Sequence, residues 1–241
     1  MTEPSINSTS ENSKSQAAVV LESVSKLFGR FAALHDLSGT LSAGRLYALL
    51  GENGAGKTTL LRIIAGLARP TRGTVRVLGT SDLGTVSARI GYMAHSTLLY
   101  DDLTARENLE YFSGLYARPR SVIEELLQTV GLERVDPQRR IAQYSQGMKQ
   151  RLALARAMIS SPDLLLLDEP FSNVDVESIR TMARLLGRLR DSGATLIVIT
   201  HQLDALAGVA DEWIKLRAGT IVSRESAVDG NRVGAGRRGE Q

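Results

Sequence analysis

The chain has 241 residues, 43% of them hydrophobic and 23% charged, with 29 Lys and Arg set against 26 Asp and Glu for a net charge of +3. That length suits one large α/β domain or two small ones, and the composition excludes a wholly disordered chain. Cysteine is absent and the three histidines are scattered, which removes disulfide frameworks, thiol catalysis and Cys-rich zinc sites, while interleaved charge with no basic run longer than two argues against nucleic acid as a partner.

In chain order, residues 1–17 are rich in Ser, Asn, Thr and Glu and read as a disordered N-terminal tail. They lack the apolar core of a signal peptide, and no apolar run approaches the roughly 20 residues that cross a bilayer, so a cytoplasmic position is expected. Val19-Val20-Leu21 opens a candidate strand, and Arg45–Leu50 and Thr74–Leu78 read as two more. The second of these runs into Gly51-Glu52-Asn53-Gly54-Ala55-Gly56-Lys57-Thr58, the pattern G-x-x-x-x-G-K-T. Backbone N–H groups of such a loop wrap a nucleotide's phosphates while Lys57 supplies a mobile positive charge, for ATP or GTP alike. Beyond it Leu60, Leu61, Ile64 and Leu67 have helical spacing from Thr58 onward, which places the phosphates at a helix N-terminus.

Helical patterns follow over Ala105 to about Ala117, where Thr104 and Glu107 form a capping box, and over Ser121–Val130. Before them, Leu98, Leu99 and Tyr100 make an apolar cluster that a lone domain has little reason to expose. A third helix begins near Gly147, with Met148, Leu152, Ala155 and Ile159 at helical spacing; Ser145 at its mouth can cap it or bond a γ-phosphate. Leu164–Leu167 and Thr195–Ile199 are continuous apolar runs, as central strands covered on both faces require. The first ends in Asp168 and Glu169. Asp168 can hold Mg²⁺, directly or through water, opposite the Thr58 hydroxyl, and Glu169 can accept a proton from, or orient, an attacking water. Residues 224–241, rich in Gly and Arg, read as a flexible C-terminal tail.

These motifs together resemble the ATP-binding cassette (ABC) ATPases, in the family's order and over about Val19 to Val222. The resemblance implies an α/β P-loop fold over 18–223: a mostly parallel sheet flanked by helices, an antiparallel β subdomain, and a helical insertion over about 96–160. It assigns ATP and Mg²⁺ as cofactors, with Phe28 stacking on adenine and Gly51, Glu52, Asn53, Gly54, Ala55, Gly56, Lys57, Thr58 and Thr59 as the phosphate loop. Thr58, Asp168 and His95 lie toward the metal. Glu169, His201 and Lys57 are the catalytic set, His201 contacting the γ-phosphate. Ser145 and Gly147 belong to the Tyr144–Met148 signature, which closes the site of a second copy, and Ser172-Asn173-Val174-Asp175 crosses the dimer interface. The implied partners are a second ATPase subunit and a transmembrane permease, at the cytoplasmic face of a bacterial plasma membrane.

Three departures stand out. The signature reads Tyr-Ser-Gln-Gly-Met in place of Leu-Ser-Gly-Gly-Gln, the crossing loop carries Asn173-Val174 in place of Ala-Leu, and His95 takes the place of a Gln. His95 either fills the Gln position or, by protonating near pH 6.5, makes coupling pH-sensitive. Ile90–His95, Leu98–Leu109 and Asp168–Phe171 are similar to the haem-exporter ATPases of cytochrome c maturation, though drug and polysaccharide exporters share most of these residues. A soluble ABC ATPase acting on ribosomes or DNA would carry a second cassette, coiled coils or zinc modules, and a P-loop kinase would lack the signature.

Overall fold

The computed structural model describes residues 16–227. Its elements in order are β1 (Ala17–Phe28), β2 (Phe31–Ser42), β3 (Leu46–Leu50), α1 (Lys57–Ile64), β4 (Arg72–Val77), α2 (Leu83–Val86), β5 (Ile90–Met93), α3 (Ala105–Leu115), α4 (Ser121–Thr129), α5 (Gln146–Met158), β6 (Leu164–Asp168), α6 (Val176–Asp191), β7 (Thr195–Ile199), α7 (Leu203–Leu206), β8 (Glu212–Arg217) and β9 (Thr220–Ser226). Six strands form one sheet in the order β5-β6-β7-β3-β8-β9, parallel apart from β9; β2, β1 and β4 form a separate antiparallel sheet. The α/β class with an antiparallel subdomain is therefore as expected.

Side-chain alternation explains why the central strands are apolar throughout. Leu165 and Leu167 of β6 join a core shared with α3–α6, while Leu164 and Leu166 join a second core shared with α1 and the antiparallel sheet. The same division runs through Leu46 and Ala48 against Tyr47 and Leu49 in β3, and through Leu196 and Val198 against Ile197 and Ile199 in β7. A strand buried on both faces has no position for a polar residue until it ends.

The helical region is fastened to this sheet at its far side. Arg156 of α5 lies over the Phe112 ring, 5.3 Å from its centroid, and donates to the Tyr92 carbonyl of β5 at 3.4 Å. Lys149 Nζ donates to Asp101 Oδ1 at 2.8 Å, and the Thr104–Glu107 capping box is formed from both sides.

Several sequence-based bounds shift. Ala17, expected in the N-terminal tail, starts β1 because it pairs with Ser42. β9 continues past 223 because Arg224 bonds Glu212 at 2.5 Å and the Thr40 carbonyl at 3.0 Å. The remaining tail residues, 1–15 and 228–241, lie outside the described residues. The expected exposed cluster is also different. Leu99 packs against the core, whereas Leu98, in the left-handed region at φ 52°, and Tyr100 are exposed. Tyr100 meets Tyr111 edge-on at 5.2 Å, so the exposed apolar surface is an aromatic one built with α3.

Candidate functional site

β5, β6, β7 and β3 are consecutive neighbours and run the same way, so the segments that follow them open on one edge of the sheet. There they enclose an open cavity of about 690 Å³ whose wall includes Phe28, Asn53–Thr59, His95, Asp168, Glu169 and His201.

The loop after β3 is shaped by glycine where nothing else fits. Gly51 has φ 147° and Gly56 φ 100°; a Cβ on the first would lie 2.4 Å from the Leu216 carbonyl oxygen, and on the second 2.5 Å from that of Ala33. Gly56 leads directly into α1, so the loop's N–H groups and the helix start face the same space. Lys57 is buried, with Nζ donating to the carbonyls of Gly51 at 2.6 Å and Glu52 at 2.9 Å. Burial pulls its ammonium below the ordinary lysine value, and the charges of Glu169 and Asp168 oppose that pull.

Opposite stands the end of β6. The Thr58 hydroxyl donates to Asp168 Oδ2 at 3.0 Å, with Oδ1 at 3.3 Å. Burial pushes the Asp168 carboxyl up from its ordinary value, against the Thr58 hydrogen bond and the positive charges of His95, Arg62 and Lys57. Glu169 adopts φ 56°, a left-handed turn that ends the strand, and its N–H donates to the Ile199 carbonyl at 3.0 Å. Glu169 Oε1 lies 3.3 Å from His201 Nε2, which follows β7. Burial raises the Glu169 carboxyl as well, with the His201 charge acting against it.

A hydroxyl and a buried carboxylate in contact form an all-oxygen donor pair that fits a hard divalent cation such as Mg²⁺. The described residues include no cluster of three or more His, Cys, Asp or Glu placed to hold a metal.

Of the sequence-predicted residues, Gly51 and Glu52 serve through their carbonyls, while Phe28, Asn53–Thr59, His95, Asp168, Glu169 and His201 share the cavity wall. Ser145 and Gly147 do not line it. Ser145 caps α5, accepting from the Met148 N–H at 3.3 Å. Gly147 packs on the start of α6, where a Cβ would lie 2.3 Å from Ser178 Oγ. Sequence reasoning missed Phe31, Ala33 and Gln202 in the wall and gave Ser172 and Asn173 only an interface role. It also missed Gln150, buried in α5, whose amide donates to Ser172 Oγ at 3.3 Å. The phenyl at Phe31, three residues after Phe28, was the one available signal.

Known proteins resemble this chain in sequence and in fold. A family profile described as "ABC transporter" matches residues 34–172. The ABC transporter ATP-binding protein NatA of Bacillus subtilis (strain 168) is 36% identical over 200 residues, covering 80% of this chain and 81% of that one. The sulfate/thiosulfate import ATP-binding protein CysA 2 of Rhizobium meliloti (strain 1021) is 40% identical over 220 residues, which are 84% of this chain but 58% of that longer protein. Among solved structures, a dimeric ATP-binding cassette in a post-hydrolysis state bound to ADP and Pi superposes with a TM-score of 0.79 at 28% identity, covering 87% of this chain and 98% of that one.

The raised Glu169 carboxyl carries a stability consequence. With its folded-state value above the ordinary 4.5, the ionised form costs stability at neutral pH, and the cost vanishes as pH falls through the folded value toward 4.5. Glu169→Gln should therefore raise Tm of the ligand-free protein at about pH 7.5, by about 2–4 °C per kcal/mol relieved. Scanning calorimetry across pH should show the advantage closing on acidification; equal melting at about pH 7.5 would contradict it.

Proposed function

This chain belongs to the ABC transporter family of ATPases, and on that premise we propose that it is the ATP-hydrolysing subunit of a transporter. In this reading it works as a dimer of identical subunits on a separate transmembrane permease, at the cytoplasmic face of a bacterial plasma membrane. The reading is carried by one observation: Lys57, Thr58, Asp168, Glu169 and His201 converge on one cavity, while Ser145 and Gly147 lie outside it. Among the described residues no helix is long and apolar enough to cross a membrane.

On ATP binding, Lys57 Nζ exchanges the Gly51 and Glu52 carbonyls for β- and γ-phosphate oxygens, and the loop's N–H groups and the start of α1 take the remaining charge. Thr58 and Asp168 would hold Mg²⁺, which would neutralise developing charge on the phosphates. Glu169 accepts a proton from the attacking water, and His201, 3.3 Å away, orients that carboxylate and reaches the γ-phosphate. Phe28 stacks on the base. The second copy brings Ser145 and the N-terminus of its α5 to the γ-phosphate, so each site is completed across a two-fold axis. His95 occupies the wall beside Asp168 and reports the state of the site to the helical region.

The finer reading is haem export for cytochrome c maturation. It rests on the similarity of Ile90–His95, Leu98–Leu109 and Asp168–Phe171 to haem-exporter ATPases. A second reading, transport of another cargo, is favoured by the relatives named above, one of which is named for sulfate and thiosulfate import. Loss of this protein should lower holocytochrome c in its host; normal levels would reject haem export and leave the ATPase reading intact.

Two further outcomes follow from the site and its surface. Lys57→Ala should abolish turnover, and Glu169→Gln should bind ATP, hydrolyse it at least about 10²-fold more slowly and elute as a dimer with ATP; full turnover or a monomer at saturating ATP would sink the assignment. The permease should dock on the exposed aromatic surface of Tyr100 and Tyr111 beside Leu98. The pair Leu98→Asp and Tyr111→Asp should detach the folded protein from membranes, and wild-type co-sedimentation would refute that docking face.

A further inference from the structure

Phe28 and Phe31 are directly paired across the β1–β2 hairpin, on either side of the Gly29-Arg30 turn. Residues directly opposed on antiparallel strands project to the same face, and both phenyl rings belong to the wall of the nucleotide cavity. Both are strongly exposed, 55% for Phe28 and 61% for Phe31, so neither ring is spent on the core.

Two contacts fix the geometry. Lys26 Nζ, held by the Arg69 carbonyl at 2.8 Å, stands 5.1 Å from the centroid of the Phe28 ring and covers part of it. Two residues beyond Phe31, the Ala33 carbonyl rests so close to Gly56 that a Cβ there would approach to 2.5 Å. The pairing with β1 is irregular at Ala33, and Phe31 lies beyond that irregularity, toward the Gly29-Arg30 turn.

We propose that Phe31 is a second base-binding residue, forming with Phe28 a two-ring platform for the purine of the bound nucleotide. The inference rests on the nucleotide-binding reading above and adds a contact that reading does not contain. A phenyl ring offers area and a π-face but no hydrogen-bond donor or acceptor, so the platform selects a base by its size.

The test measures ADP and pyrophosphate binding by titration calorimetry, because only ADP carries a base. Phe31→Ala should weaken ADP about tenfold, the scale of one lost stacking contact, and leave pyrophosphate unchanged; Phe31→Tyr should restore ADP binding. Wild-type ADP affinity in Phe31→Ala would overturn the proposal. So would equal losses for both ligands, which would make Phe31 a support for the phosphate loop. Failure of the unaltered protein to bind either ligand would remove the nucleotide reading itself, and this inference with it.

Discussion

A parallel sheet buried on both faces leaves chemistry one place to go. The apolar side chains of β6 and β7 each point into one of two cores, so polar residues are kept to the strand ends, Thr195 where β7 starts and Asp168 where β6 stops. Because the sheet places β5, β6, β7 and β3 side by side in one direction, their stopping points form a single edge. His95, Asp168 with Glu169, His201 and the phosphate loop are gathered by this rule from positions as far apart as 51 and 201 in the chain. Residues at the other ends of these strands serve packing: Asp211 accepts from the Leu46 N–H at 2.7 Å, and Thr195 from that of Gly44 at 3.0 Å.

The site so formed is held under opposed electrostatic demands. Burial disfavours the charge of Lys57 and of both carboxylates, and each sign eases the penalty of the other. Lys57 leans on carbonyl dipoles and Asp168 on one hydroxyl, contacts that a polyanion with its cation can replace on both sides.

Much of this was legible in the sequence, and what was missed has physical causes. The phosphate loop, α5 and the strand ending in Asp168 and Glu169 declare themselves because glycine spacing, a Ser cap and unbroken leucine are local signals. β2 was not read, since Asp36 at φ 45° and shifts in its pairing with β1 break the alternation that marks a strand. β9 was not read as a strand, and its end from Arg224 was taken for tail, because its mostly polar side chains earn a place only through pairing with β8. Phe31 was passed over for a related reason: with β2 unread, the tight Gly29-Arg30 hairpin that sets it opposite Phe28 went unread as well. The aromatic face around Tyr100 depends on Tyr111 and Phe112 arriving from α3, so reading Leu98 to Tyr100 alone put Leu99 on the wrong side.

The contact between Gly147 and Ser178 reaches beyond packing. Asp175 accepts from both the N–H and the hydroxyl of Ser178, at 2.9 and 2.7 Å, and Ser178 in turn fills the space that a side chain at 147 would need. The start of α5 and the start of α6 are therefore a matched pair, fitted to each other within one chain before any second chain arrives. A side chain at position 147 would have to displace Ser178 and with it the Asp175 cap, so a change at the mouth of one helix is felt at the start of the other.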